Sequence, residues 1–447
     1  MSENTNDRTA APQEYSAASK RRFLIRLTLV LVGGMFLDGY ILGTIGTVIG
    51  TIGTNLHITE IWEGLIAASA LLGILFGSPI GGWAADKFGR KPLFMIDMGI
   101  FVLASAAQFF VDSPLQLFLV RLVMGIAIGV EYSVGWPLMS EFSPARLRGR
   151  LLGVTVVAWY VGFMVAFLVG YLLTTYTDVN WRIILGSSTI LAVVLFVARL
   201  GLPESPRWLW NVGRKDEARG IAHRYMESAQ DMDDVEHEDT GKGTIGMLFS
   251  REHWRATLFT SMFWFCAVAP YFAIGTFAAS VLESYGLSSG LAGGLGLSAL
   301  AAAGVAVTVL LIDKVGRRVL TVPGQWLCTA ILAVIGLWAG APPVVVLILF
   351  LVFSFVNAGY NTLTSVYPGE LFPTEIRGLG TGFAAAVSRV GAGAATFLLP
   401  VSVSSLGIGP TMLIAAGVAL VGAALSQWLA PETKGKSLTE TAASFSH

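Results

Sequence analysis

Charge is scarce in this sequence. Asp, Glu, Lys and Arg together supply 13% of 447 residues, roughly half their share in a soluble domain. That deficit excludes an ordinary soluble enzyme and a disordered chain. The 29 basic and 29 acidic residues cancel, so no net field recruits a polyanion and no nucleic-acid partner is expected. Cysteine is nearly absent: Cys266 and Cys328 both lie in apolar runs, which argues against a disulfide framework and a thiolate metal site. Five scattered histidines offer no haem or zinc constellation, so no metal is expected. No nucleophile–base pair or phosphate-cradling glycine loop appears at a plausible membrane boundary, which argues against a membrane enzyme. What is present is apolar. Hydrophobic residues make up 54% and glycine contributes 51 positions, with a mean hydropathy of +0.68.

A membrane-spanning helix needs about 20 mostly apolar residues. Twelve such stretches are expected, at roughly 24–50, 61–85, 93–111, 115–140, 151–175, 182–201, 256–283, 289–312, 320–340, 343–367, 378–401 and 408–430. Residues 1–23 read as a polar, disordered tail with no apolar core suited to a cleaved signal. Residues 202–255 read as a linker between two six-helix halves, 24–201 and 256–430, and 431–447 as a second tail. The acidic run at 231–239 reads as a solvated connector. Among 29 Lys and Arg, all but Arg121, Arg182 and Arg389 are assigned to the tails, the linker or the turns after spans two, four, eight and ten. The other turns contain none. This asymmetry predicts both tails and the linker on the cytoplasmic side of the inner membrane.

Three motifs recur at one common offset. Asp86-Lys87-Phe88-Gly89-Arg90-Lys91 returns as Asp313-Lys314-Val315-Gly316-Arg317-Arg318. Glu141-Phe142-Ser143-Pro144 returns as Glu370-Leu371-Phe372-Pro373, and Pro203-Glu204-Ser205 as Pro431-Glu432-Thr433. The offsets are 227, 229 and 228 residues. A duplicated unit with an even number of spans gives both copies the same orientation, with a site between them near the midplane. The expected fold is an all-α membrane protein: twelve helices in two parallel, pseudo-symmetric six-helix bundles.

On these residues the chain resembles the major facilitator superfamily. The run Gly81-Gly82-Trp83-Ala84-Ala85-Asp86-Lys87-Phe88-Gly89-Arg90-Lys91 is similar to its loop signature between spans two and three. The Pro203 and Pro431 motifs resemble its sugar-porter subgroup. Sugar porters have Gly-Tyr-Asp in span one, whereas Asp38-Gly39-Tyr40-Ile41 resembles the first acid of the aromatic-acid symporters, whose second acid is replaced by Ile41. Span seven lacks the paired glutamines of hexose carriers. Gly129-Val130-Glu131-Tyr132-Ser133 is similar to phosphate–proton symporters. The resemblance implies an alternating-access carrier of a small molecule, working as a monomer in the lipid bilayer with no cofactor beyond a coupling proton. It also implies an ion pair between Asp38 and Arg121.

Ionisable groups inside spans cost about 2.5–3.5 kcal/mol each on insertion scales, so they face a cavity or a partner. Four stand out: Asp38, Arg121, Glu131 and Arg389. Asp38 lies about 21 Å along span one, near the bilayer centre, and reads as a proton carrier or as half of a static ion pair. Glu131 is ten residues past Arg121, about 15 Å deeper and on another face. It reads as a second proton acceptor, a substrate ligand or a structural hydrogen-bonding group. Arg389 suits a substrate carboxylate, and pairing with an acid is the alternative. This favours an organic anion over a neutral sugar or polyol. Tyr132, Trp136, Tyr160, Trp264, Tyr271, Asn357 and Asn361 are candidate cavity residues. Asn357 and Asn361 share a helix face, turned to the cavity or to a neighbour. Gly125 and Gly129 read as close-packing positions. The repeated charges, Asp86, Gly89, Arg90, Glu141, Arg148 and Glu204 with Asp313, Arg317, Glu370, Arg377 and Glu432, read as a gate or as topology signals. A uniporter or exporter is the rival within transport, and a non-transporting sensor the rival outside it.

Overall fold

The computed structural model describes residues 16–226, 244–338, 340–373 and 376–434, without the side chains of 145, 146, 148 and 149. The acidic run at 231–239 and most of both tails lie outside the described residues. Among the described residues, twelve helices are long and apolar enough to span a bilayer. They are spans one to twelve: Ala17–Leu56, Glu60–Phe88, Arg90–Phe110, Pro114–Phe142, Arg150–Tyr176, Trp181–Arg199, Trp254–Thr276, Gly290–Val315, Arg317–Leu337, Pro343–Leu371, Arg377–Leu406 and Ile408–Leu429. An even number of crossings puts Ser16 and Lys434, the first and last described residues, on one face, here the terminus side. The opposite face is the far side.

Three boundaries depart from expectation. Helix one begins at Ala17, so residues 17–23 are helical rather than a disordered tail; the Ser16 side chain accepts the Ser19 N–H at 3.3 Å and caps it. Span seven stops at Thr276, and a separate short helix, Ala278–Ser284, follows Phe277. Span ten is regular only to Asn361, then runs through a 3₁₀ turn at Thr362–Thr364 and resumes at Val366–Leu371. Pro368 has no N–H to give to the carbonyl four residues back, which leaves this region of span ten free to deform.

The packing repeats the duplication. In the first half span one packs on five, two on four, and three on six; in the second, seven packs on eleven, eight on ten, and nine on twelve. Across the halves span two meets eleven and span five meets eight, again a symmetric pair. Small residues permit these approaches. A Cβ on Gly129 would stand 2.5 Å from the Ser78 nitrogen, and one on Gly125 would stand 2.7 Å from Ala70 Cα, so spans two and four touch at backbone level. The same device seals the far side: Gly46 meets the Thr276 carbonyl, Gly64 the Phe397 carbonyl, and Gly294 the Phe167 ring. Gly129→Val should therefore overpack the span two–four contact by about 1–3 kcal/mol or more. Thermal unfolding of the purified protein should show a lowered Tm. Gly82→Ala, with nothing within 4 Å of the new methyl, should leave it unchanged or raised.

Candidate functional site

Below the far-side seal, between the halves, lies a cavity of about 80 Å³. The first half supplies mainly rings: Tyr132 and Trp136 from span four, Trp159 and Tyr160 from span five, with Met35 and Val156. The second half adds Trp264, Val268 and Phe272 from span seven, but also the polar groups: Asn361, Thr362, Thr364 and Ser365 from the irregular part of span ten, and Arg389 from span eleven. Tyr132 and Trp136, one helical turn apart, stack at 5.1 Å with planes 4° apart. Trp159 Nε1 donates to the Tyr132 hydroxyl at 3.1 Å. Asn361 Nδ2 donates to the Tyr160 hydroxyl at 2.9 Å, a bond between the halves. The Arg389 guanidinium stands 5.7 Å from the Tyr132 ring and 6.0 Å from that of Phe272, within cation–π range.

Tyr132, Trp136, Tyr160, Trp264, Asn361 and Arg389 thus line the cavity as expected, and two candidates do not. Asn357 is buried, and its Nδ2 donates to the Ala267 carbonyl at 3.2 Å and to the Tyr360 hydroxyl at 2.6 Å. One turn from Asn361, it is already committed to span seven and to its own helix. Tyr271 lies behind the wall, its ring 5.7 Å from those of Tyr160 and Phe272. The span-ten hydroxyls of Thr362, Thr364 and Ser365 are not among the expected cavity residues; Pro368 is the sequence signal for the break in this helix.

Asp38 is fully buried inside the protein, not in lipid, and neither carboxylate oxygen has a hydrogen-bond partner among the described residues. The expected ion pair with Arg121 is not formed: all three Arg121 guanidinium nitrogens are buried and have no partner among the described residues. Helix depth explains this. A Cβ on Gly34 would run into the Glu131 carboxylate, so those two residues share a level. Asp38 is four residues from Gly34 and Arg121 ten from Glu131, both toward the far side, which leaves about 9 Å of depth between acid and base. The charges that reach Asp38 are Glu131, Arg199 and Arg389.

Glu131 is not an isolated site. Arg199 Nη2 meets Glu131 Oε2 at 2.6 Å, and Arg199 Nη1 meets Asp97 Oδ1 at 3.0 Å and the Phe94 carbonyl at 2.7 Å. The guanidinium carbon lies 3.6 Å from the Phe94 ring centroid. All three ionic side chains are at most 2% exposed. Sequence reasoning missed two of them. Arg199 closes the apolar run of span six, inside its expected end at 201, and Asp97 follows Phe94-Met95-Ile96 in span three; a charge within a span is the signal that marks each of them.

On the terminus side the duplicated motifs build two equivalent clusters. In the first, Glu204 Oε1 accepts the Arg90 N–H at 3.0 Å and the Lys91 N–H at 3.2 Å, capping span three. In the second, Glu432 accepts the N–H groups of Arg317 and Arg318 at 3.0 and 3.1 Å, capping span nine. Gly89 and Gly316 precede these helices at φ +99° and +106°, where a side chain would be strained and would strike the capping carboxylate. Arg90 pairs with Glu141, whose other oxygen accepts from the Ser205 hydroxyl. Arg317 pairs with Glu370 at 3.0 Å and Asp313 at 3.2 Å, and Glu370 accepts from Thr433. Each cluster lies within one half, so neither is by itself a latch between them. Asp86 is exposed, and its backbone carbonyl accepts from Trp208 Nε1 at 2.9 Å. Arg377 donates to the Phe372 carbonyl at 3.2 Å and has no ion-paired acid among the described residues. The Arg148 side chain lies outside the described residues.

Burial works against ionising Glu432, but the N–H groups of Lys434, Arg317, Arg318 and Thr433 outweigh it and hold its carboxyl below the ordinary glutamate value. A depressed carboxyl adds stability above its unfolded pKa and loses it as pH falls through the folded one. Glu432→Gln should therefore lower Tm at neutral pH, with the gap to the unaltered protein closing on acidification below the normal glutamate range. A gap that is constant with pH would contradict the capping role.

Twelve spans in two like-oriented halves around a central cavity define a major facilitator carrier, a multi-pass membrane protein. The family model described as sugar (and other) transporter matches residues 26–445, and the chain belongs to that family. It is 38% identical over 413 residues to the inner membrane metabolite transport protein YgcS of Escherichia coli (strain K12), covering 92% of both chains. It is 36% identical over 419 residues to the metabolite transport protein YaaU of the same strain, covering 93% of this chain and 94% of the relative. Among solved structures, the proton:xylose symporter XylE matches with a TM-score of 0.79 at 22% identity, over 95% of this chain and 100% of that one. The family and fold are those of transporters, not enzymes.

Proposed function

We propose that this chain is a proton-coupled symporter that imports a small polar metabolite bearing a carboxylate or similar anionic group. Arg389 carries the reading. Its guanidinium faces the central cavity over two aromatic rings, with no ion-paired acid among the described residues. Such a fork suits a carboxylate, and the surrounding rings suit an apolar or planar body. Asp38, within the electrostatic reach of Arg389, is the proton carrier. An anion docked on Arg389 cancels positive charge felt at Asp38. Anion binding and proton binding then favour each other, the linkage that symport requires, with coupling of about 1–3 kcal/mol typical of such pairs. XylE, a proton symporter by description, supports the coupling ion. No cofactor beyond the proton is needed.

The carrier works as a monomer in the inner membrane, with its termini and the 202–255 linker in the cytoplasm by the distribution of Lys and Arg. The halves 24–201 and 256–430 rock about the cavity. The far-side seal then corresponds to a cytoplasm-facing site, and the two terminus-side clusters keep each half rigid as it moves.

A second reading, a neutral sugar or polyol, is favoured by the hydroxyl and amide groups of Asn361, Thr362, Thr364 and Ser365 in the cavity wall. A thermal-shift screen of the purified protein across sugars, sugar acids and aromatic acids separates the two. Carboxylates should raise Tm, and Arg389→Ala should abolish the shift. Shifts from uncharged sugars alone, unaffected by Arg389→Ala, would favour the second reading. With a ligand in hand, proteoliposomes carrying Asp38→Asn should exchange it but lose uphill, proton-driven uptake. Retained concentrative uptake would overturn the role of Asp38.

A further inference from the structure

The Glu131–Arg199–Asp97 cluster holds two carboxylates on one guanidinium, all buried, so one negative charge is left without a counter-charge. Asp97 Oδ2 has no hydrogen-bond partner among the described residues. In a dry interior a charge without a partner is strongly disfavoured, and a proton is the smallest species that balances it. The groups facing the pair are Asp38 from span one and Arg199 from span six, with Arg389 reaching Asp38 from across the cavity.

The cluster also has a route out. A void of about 10 Å³ borders Glu131 and is walled by Met35, Gly135 and Trp136 among others, about the space of one water molecule. Met35 and Trp136 also line the central cavity. One residue layer therefore separates the Glu131 carboxyl from the solute pathway. Gly34 leaves room for that carboxyl, since a Cβ there would strike it.

We propose that Glu131 and Asp97 form a second proton-binding site, sharing one proton under the hold of Arg199, and that it exchanges with the central cavity through the void behind Met35 and Trp136. The inference rests on the proton-symport reading and adds Asp97 to its proton-carrying groups, with Arg199 as a positioning residue. On loading, a hydronium ion in the void gives up one O–H bond as an O–H bond forms on the Glu131–Asp97 pair, and water is left behind. On release that bond breaks in turn, and a water molecule in the void takes the proton to the cavity. Every step moves one proton and no electrons.

Infrared difference spectroscopy of the purified full chain, recorded as a function of pH, tests this without a substrate or a gradient. In the Asp38→Asn background a protonated-carboxyl C=O band should remain and titrate. Adding either Asp97→Asn or Glu131→Gln should remove it, so one well-folded variant suffices. Arg199→Lys, which keeps the positive charge, should retain the band with a shifted midpoint, an effect that a purely structural role would not produce. A band that persists with both carboxyl substitutions, or is missing from the unaltered protein, overturns the site. Because no transport is measured, that failure is distinct from retained uptake in Asp38→Asn, which bears on the symport reading alone.

Discussion

Arg199 joins spans three, four and six through one side chain, and much of the first half is organised around that. Its guanidinium binds Glu131, Asp97 and the Phe94 carbonyl, and all three ionic side chains are buried. A buried ion pair contributes little net stability relative to an apolar core, but losing one member leaves an uncompensated charge and costs about 3–5 kcal/mol. Arg199 therefore sets how spans three, four and six rotate about their axes. Once that is set, Tyr132 follows Glu131 into the cavity wall, and Trp136 stacks on it one turn later.

The two halves share a scaffold and differ in contents. The clusters built by Glu204 and Glu432 are nearly superimposable in logic: a left-handed glycine, a carboxylate on the helix start, and a hydroxyl bound to the next acid. They sit at the terminus side of the helices, where the positive end of a helix dipole favours a carboxylate. Among the described residues, no ion-pair cluster in the second half matches that of Arg199. Its contribution to the centre is instead the broken span ten and the cation of Arg389. One half holds buried carboxylates and the other presents polar groups to a solute. Asp38 stands where their fields overlap.

Several features were legible from residues alone. The spans were, because bilayer thickness imposes a length that composition reveals. The duplication was, because the capping and pairing motifs repeat in sequence. The packing role of Gly125 and Gly129 was, because their spacing puts both on one face. Six cavity residues were also legible, being polar or amphipathic groups in otherwise apolar helices.

Partnership was not. Asp38 and Glu131 announce themselves as buried charges wherever the helices stand, because the cost of a charge in lipid is a property of the residue and its segment. Which base each acid meets depends on relative depth and rotation of helices far apart in sequence. Those are set by contacts such as Gly34 on Glu131 and Gly39 on the Trp159 backbone. The tertiary structure therefore withdrew Arg121 from Asp38, set Arg199 of span six against Glu131 of span four, and turned Asn357 away from the cavity that Asn361 lines.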